Sequence, residues 1–488
     1  MTRRLEELVS GIPCTIHGNA AVEVKGIAYH SGQVKPGWLF VAVDGFRVSG
    51  AQFIDDAVNR GAAAVATTEP AVVRRNWVAV VQTRDTRRFL AQVANRFHGF
   101  PSRRLVLVGV TGTNGKTTTT YLLRAICRHR GFEPGLVGTI EHSDGKTTTR
   151  AGQTTPESLD FVELLARAVT NGVPVCLAEV SSHALQLDRV YDLDFRAAVF
   201  TNLTQDHLDF HKTLRDYREA KLKLFTGLAP TSVAVTNLDD PVGADIPTLT
   251  RARVLTYGTG ASNGPAPDVT GRVTGVSADG LAVEITQGGR TLGARLRLVG
   301  RYNLANLLAA FGTGVALGWQ PEEVLRGAEE LESVPGRLES VVNDRGFGVF
   351  VDYAHTPDAL ERVLATVREF TAGRVITVFG CGGDRDRAKR PLMGRAVARG
   401  ADIAVVTSDN PRSENPDAII AEISTGMAGA RGPIVLPDRE EAIARALAIA
   451  RPGDTVVLAG KGHEDYQLVG TERRQFDDRV VARRLMEG

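Results

Sequence analysis

Cysteine is scarce in this sequence, at four residues in 488, and no two of them stand close together. Cys14, Cys127, Cys176 and Cys381 form no Cys-x-x-Cys pair. Neither a zinc site nor a disulfide framework is indicated, and reduced thiols of a cytoplasmic protein are the simpler reading. An excess of one charge is also lacking. Fifty-eight Lys and Arg face 56 Asp and Glu, a net of +2, so bulk electrostatics favour neither nucleic acid nor a membrane surface. No apolar run reaches the ~18 residues needed to span a bilayer. The first stretch, MTRRLEELVSGIPCTIHG, has no continuous apolar segment of the kind a signal peptide carries. Long-period repeats and low-complexity tracts are absent too.

The chain is long enough for about three domains, each with its own core. Residues 1–101 read as a small N-terminal α/β domain, with WLFVAV and AAAVAT as buried strands and FIDDAVNRG as a short helix stopped at a glycine. Residues 102–334 read as a central P-loop-type domain, mostly a parallel sheet. From about 266 to 299 apolar and polar residues alternate, with hairpin signals at Asp279-Gly280 and Gly288-Gly289. That stretch is expected to extend the sheet antiparallel. Val334-Pro335-Gly336 is a plausible linker. Beyond it, over 335–488, GVFVDYA, RVITVFG, DIAVVTS, PIVLP and TVVLAG alternate with helical patterns. A Rossmann-like, doubly wound domain is predicted, with its ligand site beyond the carboxyl ends of the strands.

The strongest local signal is VGVTGTNGKTTTTYLL, a strand, a glycine-rich turn and a helix. In Gly112, Thr113, Asn114 and Gly115 the backbone N–H groups can close around phosphate oxygens. The helix start favours the anion, Lys116 neutralises outer phosphates, and the Thr117 hydroxyl suits Mg²⁺. Val110 stands where the usual G-x-x-x-x-GK[ST] pattern has glycine, so this is a variant loop. By itself the loop indicates a nucleoside triphosphate and leaves kinase, motor, GTPase and ligase open. Glu179 closes the apolar stretch VCLAE as a Walker-type carboxylate would, or as a strand-end salt-bridge partner. His207 and His211 lie one helical turn apart without the glutamate of HExxH, which argues against a metalloprotease. On its residues alone Lys221 reads as a solvated helix lysine.

An ordered series of motifs narrows the choice: GVTGTNGKTTTT, TTPESLD, EVSSHALQLDRV, FTNLTQDHLDFH, YREAKLKLF, GRYNLANLLAA, VPGRLE, VDYAHTPDAL, GCGGDRDRAKRPLMG, SDNPRSENP and AGKGHEDYQ. Over nearly its whole length the sequence resembles the Mur ligases, which activate a carboxylate with ATP and join it to an amine in building peptidoglycan precursors. The resemblance implies ATP as substrate with Mg²⁺, and Thr117, Glu179, His207 and Lys221 as the metal set. It implies that Lys221, rather than Lys223, carries a carbamate, and that Lys116, Lys221 and His207 are catalytic. It places Asn303 or Asn306 near adenine, Arg337 at the phosphates, Asp352 at the ribose, and His355 in the same pocket. Asn303 as a helix cap and Asp352 as a strand-end turn residue are the alternatives.

The same resemblance implies a UDP-N-acetylmuramoyl-L-alanyl-D-glutamate site at Ser31, Thr154, Thr155, Ser181 and Arg189. Two stretches depart from what many members of the family have: His30-Ser31-Gly32 replaces Asp-Ser-Arg, and Ala51 replaces a histidine. For the incoming amine, Asp409, Asn410, Pro411 and Arg412 match the form of the motif in members that add meso-diaminopimelate. An arginine can hold its far carboxylate bidentately, whereas L-lysine, the runner-up amine, has none there. Arg385, Gly460 and Glu464 match the remaining contacts, with Glu464 toward the distal ammonium; an ordinary turn at 409–412 is the plain alternative. The expectation is a cytoplasmic, monomeric enzyme acting on small molecules, without nucleic acid or membrane insertion. Closure of the last domain around 334–336 is expected with substrates bound. A folylpolyglutamate-synthase-like ligase and a nucleotide-gated binding protein on a ligase scaffold are the other readings.

Overall fold

Short apolar runs bounded by turn residues become the strands of three main sheets. The computed structural model describes residues 2–45, 48–70, 77–260, 265–427 and 432–487. Two units divide the chain: Met1–Thr270 with Leu308–Val324, and Gly271–Leu307 with Leu325–Gly488.

The first unit opens with a five-stranded sheet of β1 (Cys14–His17), β2 (Gly26–Ala28), β3 (Trp38–Val41), β4 (Ala64–Thr67) and β5 (Ala79–Thr83), in the order β1-β5-β4-β3-β2. Helix α1 (Ile54–Asn59) is the predicted short helix, and Gly61 follows it at φ +95°. Helix α2 (Thr86–Phe97) is capped by Asp85, which accepts from Arg87 and Arg88 N–H. Its Phe89, Leu90 and Val93 share a core with Leu159 and Val162 of a later helix, tying the small sheet to the next one.

The second sheet of this unit begins with β6 (Val106–Thr111), which leads directly into α3 (Lys116–His129). β7 (Gly135–Val137), the hairpin β8 (Glu141–Ser143) and β9 (Thr148–Arg150), and α4 (Ser158–Thr170) follow. Then come β10 (Val175–Glu179), α5 (Ser182–Gln186), β11 (Ala197–Phe200), α6 (Leu208–His211), α7 (Leu214–Thr226), β12 (Val233–Asn237) and β13 (Arg253–Gly258). The order is β9-β8-β7-β10-β6-β11-β12-β13, parallel from β7 to β13. Strands β6, β10 and β11 are almost wholly buried, which explains their continuous apolar character. Placing β6 in the middle sets the loop after it beside the ends of β10 and β11.

Strand β14 (Val269–Ser277) pairs parallel with β13 at Val269 and Thr270. It then becomes the first strand of an antiparallel run with β15 (Gly280–Gln287) and β16 (Arg290–Leu296). Both predicted hairpins fall where the sequence put them, and Gln287 pairs with Arg290 across Gly288-Gly289.

In the second unit, β17 (Glu339–Ser340), β18 (Gly348–Asp352), β19 (Val375–Phe379), β20 (Ile403–Val406), β21 (Ile434–Val435) and β22 (Thr455–Ala459) form a sheet in the order β17-β18-β22-β19-β20-β21. It is parallel from β18 to β21. Helices α8 (Pro357–Arg368), α9 (Lys389–Gly400) and α10 (Pro416–Thr425) share one apolar core with it. On a second core lie α11 (Arg439–Ile449) and α12 (Asp478–Glu487), so both faces are covered, as a doubly wound sheet requires. No helix among the described residues is long and apolar enough to cross a membrane.

Candidate active site

The turn after β6 is fixed by backbone geometry. Gly112 has φ +150°, and a Cβ there would lie 1.8 Å from Thr201 Oγ1. Only glycine fits that approach. The loop is then laced to the segment after β11. Thr113 N donates to Asn202 O (2.8 Å) and Asn114 N to Asn202 Oδ1 (2.9 Å), while Thr201 Oγ1 donates to Asn114 O (2.6 Å). Gly115 precedes α3 with φ +86°, and Lys116 begins the helix. Lys116 Nζ donates back to Gly112 O (2.9 Å) and Thr113 O (2.8 Å).

Lys221, on α7, reaches the same place. Its Nζ donates to Gly112 O at 2.7 Å and sits 4.5 Å from the Tyr217 ring centroid. The side chain is 1% exposed, far from the solvated lysine that its residue type suggests. Burial, and then the charge of Lys116, pull its ammonium well below the ordinary value of 10.5, with Asp206 opposing. Lys223 instead reaches Gln186 at the surface.

Glu179 ends β10 and is buried. Its Oε2 accepts from Thr117 Oγ1 and from Thr139 Oγ1, each at 2.9 Å, and its Oε1 accepts from Thr139 N at 2.9 Å. All three donors are neutral, and no ion pair to this carboxylate occurs among the described residues. A buried carboxylate with hydroxyls around it and no cationic partner is a fitting place for a hard divalent cation. His207 precedes α6 at φ +52°, with Asp206 Oδ2 3.6 Å from its Nε2 and the His183 ring 4.9 Å away. His211 is buried, with Nε2 2.9 Å from Ser182 Oγ, in keeping with a local structural role.

Four of the five predicted precursor-site residues cluster behind Glu179. Thr154 Oγ1 lies 3.1 Å from Thr139 Oγ1, and Thr155 Oγ1 donates to Glu179 O (2.7 Å). Ser181 caps α5 by accepting from Ala184 N, and its own N–H donates to Thr155 Oγ1 (3.0 Å). Arg189 Nη1 donates to Gln153 Oε1 (2.8 Å) and Thr155 O (2.9 Å). Ser31 stands apart from this cluster, in a short 3-10 turn where its hydroxyl meets Asp56. Two residues earlier, Tyr29 donates to Asp160 Oδ2 (2.5 Å) on α4.

The other predicted residues lie in the second unit and form two groups. In the first, Asp352 closes β18 and accepts from Leu338 N and Ala354 N, each at 2.8 Å. Burial raises its pKa, against the pull of Arg337 and those two N–H groups. Arg337 lies 5.7 Å from the Tyr353 ring centroid, and His355 Nδ1 is 2.7 Å from Tyr353 O. Asn303 Nδ2 donates to Val299 O (2.7 Å), and Asn306 Nδ2 donates to Asn303 Oδ1 (2.8 Å).

In the second group, Asn410 Oδ1 accepts from Leu468 N (2.9 Å) and Lys461 Nζ (3.3 Å), which directs its Nδ2 at Glu464 Oε2 (2.8 Å). Gly460, at φ +113°, leaves room for Asp409, whose Oδ2 a Cβ there would meet at 2.6 Å. Arg412 follows Pro411 with φ +51° and donates from Nη1 to Gly383 O (2.7 Å). Arg385 is exposed, with Nη1 near Asp384 O at 3.2 Å. The sequence reading passed over Lys461, fully buried 3.6 Å from Glu464, although it lies inside the quoted AGKGHED. It also passed over Thr139 and Tyr217.

Three known family patterns match the chain in order. Residues 23–98 match "Mur ligase family, catalytic domain", 110–314 "Mur ligase middle domain", and 336–462 "Mur ligase, glutamate ligase domain". The UDP-N-acetylmuramoyl-L-alanyl-D-glutamate--2,6-diaminopimelate ligase of Geobacter metallireducens is 44% identical, over 98% of this chain and 97% of its own. The ligase of the same name from Geobacillus thermodenitrificans is 43% identical over 98% of each. A solved structure of a ligase of that name superposes with a TM-score of 0.71 at 31% identity, covering 100% of this chain and 99% of its own.

Proposed function

Because the chain belongs to the Mur ligase family, we propose that it joins meso-diaminopimelate to UDP-N-acetylmuramoyl-L-alanyl-D-glutamate using ATP, giving the UDP-MurNAc-tripeptide of peptidoglycan synthesis. The observation that carries the reading is the convergence of Lys116, Lys221 and Gly112 in a glycine turn, with the Glu179 carboxylate bonded to Thr117 at the first turn of α3. The work is divided among a UDP-precursor domain (1–101), an ATP domain (102–334) and an amino-acid domain (335–488). The protein acts as a monomer in the cytoplasm on small-molecule substrates.

The triphosphate lies along Gly112 to Thr117, where loop N–H groups and the start of α3 face its oxygens. Lys116 exchanges its loop carbonyl partners for phosphate oxygens. The D-glutamyl side-chain carboxylate attacks the γ-phosphorus in line, ADP leaves, and an acyl phosphate forms. The amine nitrogen of meso-diaminopimelate then attacks the acyl carbon. Loss of its proton and departure of phosphate leave the amide. Mg²⁺ supplies positive charge beside the phosphate oxygens, and Thr117, Glu179, His207 and a carbamate on Lys221 would hold it.

Asn303, Asn306, Arg337 and Asp352 serve the nucleoside. Ser31, Thr154, Thr155, Ser181 and Arg189 serve the precursor. Arg385, Asp409, Asn410, Pro411, Arg412, Gly460 and Glu464 serve the amino acid. Two arginines in that last group favour an amine with a second carboxylate over L-lysine.

The test is mass spectrometry of the product made from ATP, the UDP-muramoyl dipeptide and an equal mixture of meso-diaminopimelate and L-lysine. A diaminopimelate adduct is expected. A lysine adduct, or no adduct with either amine, overturns the reading.

A further inference from the structure

The arginine after Lys389 is, with Arg439, the largest fully buried side chain among the described residues. Arg390, on α9, grips both oxygens of Glu414, Nη2 to Oε1 at 2.7 Å and Nη1 to Oε2 at 3.0 Å. Nη1 also donates to Glu422 Oε2 (2.9 Å), and Nη2 lies 3.4 Å from Gly382 O. Its buried Nε has no hydrogen-bond partner among the described residues, so the Nη groups do all the holding.

Glu414 passes this grip on. Its Oε1 accepts from Asp384 N at 2.5 Å, and Asp384 Oδ1 accepts from Ser413 Oγ at 2.6 Å. The loops at 382–385 and 410–414 are further joined by Gly383 N to Asn410 O (2.9 Å) and Arg412 Nη1 to Gly383 O (2.7 Å). Asp384 and Arg412 both sit at positive φ, 53° and 51°, a conformation that non-glycine residues keep only where neighbours enforce it. Arg390, followed by Asp384 N–H, holds the Glu414 carboxyl down at about 2, so the clip stays ionised at any ordinary pH.

We infer that Arg390 is a positioning residue for the amine substrate: through Glu414 and Gly382 it sets the two loops that present Arg385 and Arg412 to a dicarboxylic amino acid. A buried guanidinium is costly to desolvate, and a pure stability role is served as well by apolar packing. What apolar packing does not supply is a bidentate fork that spans two loops. Lysine, a point charge, does not reproduce it. The inference rests on the proposed ligase reading.

The experiment compares the full-length wild type with R390K, E414Q and the double variant, measuring kcat and the KM of each substrate. R390K and E414Q should each raise the KM for meso-diaminopimelate about tenfold, the loss expected of one displaced charged hydrogen bond. The KM for ATP and for the UDP precursor should stay within about twofold, and the double variant should fall short of the product of the singles. Hydrogen exchange over 382–385 and 410–414 should quicken in both variants, a readout that needs no turnover.

An unchanged KM for the amine in folded variants overturns the inference. So does a parallel rise in all three KM values, and so does unchanged exchange over the two loops. Should R390K fail to fold, the near-isosteric E414Q decides alone. A wild type that accepts a different amine defeats the substrate reading, and the same comparison run with that amine still decides the role of Arg390.

Discussion

Lys116 and Lys221 direct their ammonium groups at one acceptor, the carbonyl oxygen of Gly112, at 2.9 and 2.7 Å. The two are 105 positions apart in the chain, on the helix that follows the glycine turn and on α7. Burial first, and then the like charge of Lys116, favour loss of a proton from Lys221. A neutral buried amine captures CO₂, forming a carbamate anion and releasing a proton.

Lys221→Ala should therefore abolish ligation, and short-chain carboxylates should partly restore it. Carbon-13 NMR of wild type with labelled bicarbonate should give a carbamate signal that the variant lacks. The pH dependence has a definite sign. Between the lowered folded value and the ordinary 10.5, the unfolded chain holds a proton on this amine that the folded chain does not. Its contribution to stability falls as pH falls through that window, and the carbamate is lost once the folded amine protonates. Lys221→Met should flatten this dependence. Full activity of Lys221→Ala without additives sinks the carbamate.

Gly112→Ala tests the turn itself. The new methyl would meet Thr201 Oγ1 at 1.8 Å and Asn202 N at 3.0 Å. Moving Thr201 breaks its bond to Asn114 O, so the loop shifts as a whole. Misplacement by about an ångström costs on the order of 100-fold in rate. ADP release with all substrates present should drop by at least about that much, while Gly112→Ala with Thr201→Ala recovers part of the loss. Equal rates for the single variant and wild type would show that the turn tolerates a side chain.

Sequence legibility followed the range of the interactions. The strand–turn–helix around Lys116 and the hairpins at Asp279-Gly280 and Gly288-Gly289 were visible because each is specified by neighbours along the chain. Lys221 was misjudged on residue type, yet its period was readable. Tyr217, Leu224 and Phe225, at i−4, i+3 and i+4, are all buried, so Lys221 belongs to the inward face. Arg390 and Arg439 share that inward period, with Met393, Gly394 and Val397 beside the first and Ala442, Ile443 and Ala446 beside the second, whereas Lys461 lies in no helix; residue type hid all three. Their burial depends on carboxylates and carbonyls brought in from distant segments, and a charged residue type argues for the surface until those partners are known.

Arg412 is predicted to bind the far carboxylate of the amine substrate, and its Nη1 donates to Gly383 O at 2.7 Å. Arg412→Ala removes hydrogen bonds to a charged group, each about 1.5–3 kcal/mol. The KM for meso-diaminopimelate should rise between about 10- and 100-fold, with ATP binding by calorimetry unchanged. Arg412→Lys should recover little, since lysine offers no planar fork. Discrimination against L-lysine should weaken in parallel. A change in ATP affinity equal to the change for the amine would remove Arg412 from the amine pocket.

Arg439 and Asp478 form a fully buried ion pair whose loss should be felt throughout the second unit. Arg439 Nε and Nη2 meet the two Asp478 oxygens at 2.8 and 2.7 Å, and both side chains are 0% exposed. The same guanidinium donates to Ala459 O (3.0 Å) and reaches Ser408 O (3.5 Å). Those carbonyls stand where β22 and β20 end, immediately before Gly460 and Asp409. One arginine thus joins the two segments, at the end of β22 and just after β20, that carry the proposed amine-site residues. Arg439→Met leaves Asp478 buried and unpaired, which costs about 3–5 kcal/mol. Asp478→Asn should cost less, because the amide is neutral and keeps one acceptor. Replacing both residues together, Arg439→Met with Asp478→Leu, should restore much of the loss, since the price of an ion pair is mostly desolvation. Urea denaturation followed by circular dichroism measures all of them. Additive losses in the double variant, or a single-variant loss under about 1 kcal/mol, would mean that the pair contributes no more than a surface contact.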